Sequence, residues 1–284
     1  MFQQRLTETS GLARACLHDA IRNDGVLAEA MRYATAGGKG LRGFLVMESA
    51  RLHGVSDQRS VRPAAAIEAV HAYSLVHDDL PCMDDDDLRR GLPTVHRKWD
   101  EATAVLVGDA LQTLAFELLT HDAVGDARVE LIATLARAAG QAGMVHGQAL
   151  DIAAETAPIP LNIDEIIALQ AGKTGALIRW SAEAGALMAS ADPAPMRDYA
   201  TAMGLAFQIA DDILDVEGNA QTVGKAVGKD ADAGKATFVS LLGLNAAKTR
   251  AAELVEQACD ALAPYGQDAE TLREAARFVI QRDR

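Results

Sequence analysis

Two clusters of aspartate stand out in the 284-residue chain. The stretch HAYSLVHDDLPCMDDDDLRRG (71–91) holds six aspartates within ten residues and runs directly into Arg89 and Arg90, and QIADDILDV (208–216) holds Asp211, Asp212 and Asp215. Carboxylates so placed can hold a divalent cation. Asp211 and Asp215 are four apart, so on a helix they lie nearly above one another and repel unless a cation sits between them. Their neighbours Ile209, Ile213, Leu214 and Val216 argue against a purely solvated face, although a lone DDxxD also fits a charged helix edge. In the first cluster the spacing is DDxxxxD, through Asp78, Asp79 and Asp84. Six residues of ideal helix would turn Asp84 about 240° away from Asp78. The helix must therefore bulge or break if both acids are to meet one ion, and Pro81 supplies a cause, since it cannot donate a helical hydrogen bond and disfavours helix at the residue before it. The alternative is an acidic helix end. No DxDxDG with a distant Glu can be aligned, which excludes an EF-hand.

Basic residues narrow the chemistry. Arg89 and Arg90 follow the first cluster, GGKGLRG (37–43) offers Lys39 and Arg42, and AGKTGA (171–176) offers Lys173 with Thr174. A calcium or bare magnesium site has no use for so many cations. Magnesium-bound diphosphate needs both signs, because magnesium takes few protein carboxylates and completes its shell with phosphate and water, while Arg and Lys neutralise the remaining oxygens. Polyphosphate chemistry is the expectation.

The elements that must carry these groups read as helices. Hydrophobic residues make up 49% of the chain but aromatics only 4%, and Ala and Leu recur, which favours helix over strand. Apolar residues at three and four spacing mark 61–77, 106–121, 127–143, 162–172, 174–189, 196–216 and 245–266, with breaks at Gly, Pro or Asn-Asp clusters. The run 106–121 is apolar on most of its circumference, so it is expected to be central or to face a partner subunit. No alternating pattern is long enough to build a sheet, and no linker divides the chain, so one all-α domain over 1–284 is expected. Residues 219–236, NAQTVGKAVGKDADAGKA, hold three Gly-Lys pairs and little to anchor them in a core. Such a loop is functional or a solvated surface; it lacks the GxxxxGK[ST] spacing of a P-loop. A net charge of −13 disfavours nucleic acid and anionic lipid. Three scattered cysteines, no signal-peptide pattern and no membrane-length apolar stretch lead to an expected cytoplasmic setting.

In combination and order, GGKGLRG, HDDLPCMDDDDLRRG, GQALD, KTG, FQIADDILD and GKAVGKDADAGKAT resemble the motifs of the trans polyprenyl diphosphate synthases, in particular the bacterial farnesyl-diphosphate-forming members. The resemblance spans nearly the whole chain. It implies an all-α bundle around a deep central cavity, the isoprenoid synthase type, usually a homodimer. It also implies magnesium-dependent joining of isopentenyl diphosphate to an allylic diphosphate, dimethylallyl or geranyl, with three magnesium ions bound alongside the allylic diphosphate. Carried over residue by residue, Asp78, Asp84, Asp211 and Asp215 resemble the metal ligands. Arg89 resembles a contact to the allylic diphosphate, and Lys39, Arg42, His71 and Arg90 resemble the metal-free isopentenyl diphosphate pocket. Lys173, Thr174, Gln208, Lys225 and Lys235 resemble groups that hold the allylic diphosphate and line the cation's path, with 219–236 the candidate lid. Without the family, His71 reads as an ordinary helix histidine.

Among the departures from the family's pattern, Gly40 stands where GGKRLRP has an arginine, and Cys82 where DDLPAMD has alanine, a thiol open to oxidation if exposed. Tyr73 and Ser74 lie five and four residues before Asp78, about 6 to 7.5 Å down the helix axis. In the family a bulky aromatic at the fifth position goes with a C15 product, so the resemblance implies farnesyl diphosphate. Geranylgeranyl diphosphate synthesis and a noncatalytic partner subunit are the alternatives. A terpene cyclase has no second diphosphate to bind and so no need of the Lys39, Arg42, Arg90 set.

Overall fold

The computed structural model describes residues 1–217 and 236–281, and these are almost entirely helical. By packing they form two compact units. The first is built from residues 3–133 and 184–191, the second from 134–183 and 192 onward.

In the first unit, α1 (Phe2–Ala20), α2 (Val26–Thr35), α3 (Leu41–Leu52), α4 (Asp57–Asp78), the short α5 (Val95–Lys98) and α6 (Glu101–Thr120) surround an aliphatic core. The centre is α4, whose run from Ala64 to Ala66 with Ile67, Ala69 and Val70 is wholly buried. It packs against α3 on one side and α6 on the other. The sequence predicts helix over 61–77 and 106–121; both form and extend a turn or so at their N-terminal ends, α6 from Asp100, whose side chain accepts the Thr103 N–H. Among the described residues α6 alone has the length and composition of a membrane span, with a mean hydropathy of 1.4, yet Asp109 and Glu117 interrupt it. One face, through Val107, Leu111, Leu114 and Leu118, is buried, while Val105 and Leu106 are exposed.

The α4 helix stops at Asp78 for the reason expected from Pro81. Asp79 N–H still bonds to the Leu75 carbonyl, Leu80 tightens to a three-residue bond with His77, and Pro81 has no N–H to continue. The chain then turns back until the Asp84 N–H reaches the Asp78 carbonyl at 2.9 Å. A two-stranded hairpin follows, Leu88–Arg89 against Leu92–Pro93. Its two turn residues, Arg90 and Gly91, both have positive φ (56° and 77°), the geometry that matches the twist of paired strands. For arginine that backbone is unfavourable by about 1–2 kcal/mol.

In the second unit, α9 (Ile163–Gln170), α12 (Phe238–Leu242), α13 (Leu244–Ala261) and α14 (Glu270–Gln281) pack on α11 (Ala194–Glu217), and α8 (Met144–Glu155) packs on α9. The helices α7 (Arg128–Ala139) and α10 (Ala176–Met188) complete the element order. Between α9 and α10 the segment Ala171–Gly175 is a π-helical turn, the wider winding that recurs at functional sites.

Candidate active site

In the first unit the fold gathers most of the basic residues singled out above. Gly37 and Gly38 lie under the Arg90 guanidinium: a Cβ on Gly38 would come within 2.7 Å of Nη1 and 2.8 Å of Nη2, and φ at Gly38 is +100°. Two bare glycines are thus what lets Arg90, held at the hairpin tip, lie against the loop that carries Lys39 and leads into α3. Arg42, in the first turn of α3, and His71, on α4, are electrostatic neighbours of Arg90. Burial lowers the Arg42 pKa, opposed by Glu68 and aided by Arg90. The Arg42 Nε–H is buried without a hydrogen-bond partner. Buried donors are nearly always satisfied, and an anionic ligand is a partner that an orphaned guanidinium N–H can take. His71 is held well below its usual pKa, first by burial and then by Arg42, Arg90 and Arg89. Its imidazole is therefore neutral at neutral pH, able to donate or accept a hydrogen bond without adding charge.

The acids at the end of α4 play different parts. Asp79 is buried and receives both Nε (2.7 Å) and Nη2 (2.5 Å) of Arg89 on Oδ1. Burial raises its pKa, and the Arg89 bonds pull it back down. Asp79 therefore positions Arg89 and is engaged there, leaving Nη1 outside the pair. Asp78 and Asp84 are joined through the backbone bond across the turn, which answers the 240° problem posed by an ideal helix: the intervening residues leave the helix and bring Asp84 back. Asp87 is turned outward to Arg97, at 2.8 Å. Cys82, in the same turn, is an exposed free thiol. Beside this end of α4 a cavity of about 270 Å³ is lined by Tyr33, Ala72, Leu75 and Val76 and walled by Arg89 and Arg90.

Tyr73 and Ser74 occupy different faces of α4. The Ser74 hydroxyl donates to the His71 carbonyl at 2.9 Å, while Tyr73 is buried against the α6 side, its ring edge-on to His77 with centroids 5.9 Å apart. His77 in turn lies over Gly108, where a Cβ would collide with the ring, and within 3.0 Å of the Val105 carbonyl. The Tyr73 hydroxyl is buried with no aligned hydrogen-bond partner, and burial raises its pKa against the opposing influence of nearby Gln112.

In the second unit the GQALD and KTG motifs form one assembly. A Cβ on Gly147 would lie 2.0 Å from the Lys173 backbone nitrogen, and one on Gly172 would lie 3.0 Å from the Gly147 Cα. This backbone contact seats the π-turn on α8 and brings the Lys173 ammonium to Asp151 Oδ2 at 2.7 Å. Asp151 is itself buried. Gly204 on α11 lies against Gly175, so the π-turn carrying Lys173 and Thr174 also rests on the helix that bears Gln208, Asp211 and Asp215. Gln208, Asp211 and Asp215 are half-buried along α11. Asp212 serves the backbone instead, since its Oδ2 accepts the Phe238 N–H at 2.7 Å and fixes the start of α12. Lys225, Lys235 and nearly all of the candidate lid 219–236 lie outside the described residues.

Two residues outside the set of candidate site residues matter here. Glu68 accepts the Gly43 N–H at 2.7 Å and faces Arg42 and Arg90, and Asp151 holds Lys173. Asp151 ends the GQALD motif and so had a signal; Glu68 has none, because its partners lie on α3 and the hairpin.

The aspartates are hard oxygen donors that suit magnesium. Among the described residues no three His, Cys, Asp or Glu side chains stand close enough to hold an ion by themselves.

Residues 24–276 match the polyprenyl synthetase family. Farnesyl diphosphate synthase of Escherichia coli (strain K12) is 47% identical over 270 residues, covering 91% of this chain and 90% of the relative. The crystal structure of an FPP/GFPP synthase from Zymomonas mobilis superposes with a TM-score of 0.90 at 44% identity, covering 98% of both chains. A geranyltransferase from Helicobacter pylori, solved with magnesium and isoprenyl diphosphate, superposes with a TM-score of 0.80 at 33% identity, covering 98% of this chain and 96% of that one. With the isoprenyl synthase fold and this agreement along nearly its whole length, the chain belongs to the polyprenyl synthetase family.

Proposed function

We propose that the chain is a magnesium-dependent prenyltransferase that condenses isopentenyl diphosphate with dimethylallyl and then geranyl diphosphate to give farnesyl diphosphate. The observation that carries the reading is the buried Arg42 Nε–H without a partner, set among Arg90 and neutral His71. That is a pocket for a diphosphate held by side chains alone, and Lys39 completes it. In the first unit Arg89, oriented by Asp79, and in the second Lys173, oriented by Asp151, with Thr174 and Gln208, are the groups that the family resemblance assigns to the allylic diphosphate; Lys225 and Lys235, assigned to it as well, lie outside the described residues. By analogy with the family, Asp78 and Asp84 of the first unit, and Asp211 and Asp215 of the second, would be the carboxylates that hold magnesium, three ions in all, and the metal would neutralise charge on the leaving diphosphate.

The protein's own groups do the rest. Cationic side chains fixed in advance stabilise the charge that grows as the allylic carbon–oxygen bond breaks and its electron pair passes to the diphosphate. The double bond of isopentenyl diphosphate then attacks the allylic cation, and the proton lost from the adduct passes to the departed diphosphate. No side-chain base is required. Tyr73 and Ser74 bound the space for the growing chain. A second copy of the chain is the expected cover for Val105 and Leu106 on α6, giving a homodimer. Purified protein with labelled isopentenyl diphosphate and dimethylallyl diphosphate should elongate the primer in magnesium and stop on chelation; elongation that persists in excess chelator would defeat the metal assignment.

A further inference from the structure

We infer that Glu68 is a positioning residue that sets the net charge, and so the grip, of the pocket formed by Arg42, His71 and Arg90. This rests on the reading of that pocket as an isopentenyl diphosphate site.

Glu68 lies on α4, three residues before His71. Its Oε1 accepts the Gly43 N–H at 2.7 Å. Helix α3 starts at Leu41 behind Gly40, which makes no side-chain cap. The first turn of a helix has N–H groups without partners and favours negative charge, so the Glu68 carboxylate caps α3 from a different helix. Space is tight there: a Cβ on Gly43 would lie 3.3 Å from the Glu68 Cγ and 3.4 Å from the Ala64 carbonyl oxygen. The proline that the GGKRLRP pattern has at this position would remove the N–H altogether. The contact therefore belongs to a residue by which this chain departs from that pattern.

The same carboxylate acts on both guanidinium groups, Arg42 and Arg90, which otherwise repel one another. Its negative charge offsets part of the repulsion between the two arginines when no diphosphate is bound, and it subtracts one charge from a pocket whose histidine is neutral. Diphosphate is then bound less tightly than the arginines and Lys39 alone would bind it.

Glu68→Gln tests this, because an amide oxygen can still accept the Gly43 N–H while the charge is gone. Binding of isopentenyl diphosphate, titrated calorimetrically without metal, should tighten by about threefold or more and weaken more steeply with added salt than in the wild type. Glu68→Ala loses cap and charge together and should lower the melting temperature. A Glu68→Gln variant that binds as the wild type does, or more weakly, overturns the inference while leaving the pocket in place. If the wild type binds no isopentenyl diphosphate, the pocket reading fails and takes the inference with it.

Discussion

Arg42 and His71 share one environment and respond to it differently. Burial lowers both pKa values, but a guanidinium starts so high that it stays charged, whereas an imidazole starts near neutrality and loses its proton. The consequence for stability has a definite sign. Between the lowered folded pKa of His71 and about 6.5, the unfolded chain binds a proton that the folded chain does not, so this residue's contribution to stability falls as pH falls through that window. Replacing His71 by Gln removes the titration. Chemical denaturation at pH 7.5, 6.5 and 5.5 should show the wild type losing stability relative to His71→Gln as the pH drops; parallel curves would mean that His71 titrates normally in the folded protein. At this scale the sequence showed the types of group but not their partners. Asp78 and Asp79 are adjacent and look equivalent, yet the carbonyl of one accepts the Asp84 N–H across the turn and the side chain of the other is engaged by Arg89. Glu68 could not be found from the sequence at all, since what gives it a role is a backbone N–H on α3.

Among the elements, the π-turn 171–175 has the sharpest requirement. Gly147→Ala would put a methyl carbon against backbone that has no rotamer to escape by. Overpacking of this kind costs roughly 1–3 kcal/mol. In a chain of this size the melting temperature should fall by about 2–4 °C for each kcal/mol, and because Lys173 rides on the displaced turn, kcat should fall with it. Full activity with an unchanged melting temperature would show that the turn does not depend on this contact. Helices with one buried face were legible as such: α11 and α13 sit where three and four spacing puts them. Helix α3 was not, because it is buried on every side from Gly43 to Ala50 and so has no amphipathic period to read. The hairpin 88–93 was missed because strands of two residues carry no alternation; Arg90-Gly91 was its only mark. The last helix, α14, shows buried Leu272, Ala275, Ala276 and Val279 at helical spacing yet lies beyond the runs read from the sequence.

For the whole molecule, the all-α class followed from composition, and the family from the order of the motifs. Product length, assigned by the proposed function to Tyr73 and Ser74 on α4, is the part of the account most open to direct test. Wild type and Tyr73→Ala should be incubated side by side with magnesium, labelled isopentenyl diphosphate and geranyl diphosphate, and the products sized after dephosphorylation. The wild type is expected to stop at C15 and Tyr73→Ala to run on to C20 or beyond. No elongation by the wild type would contradict the assigned activity, and C15 from both proteins would remove Tyr73 as the floor.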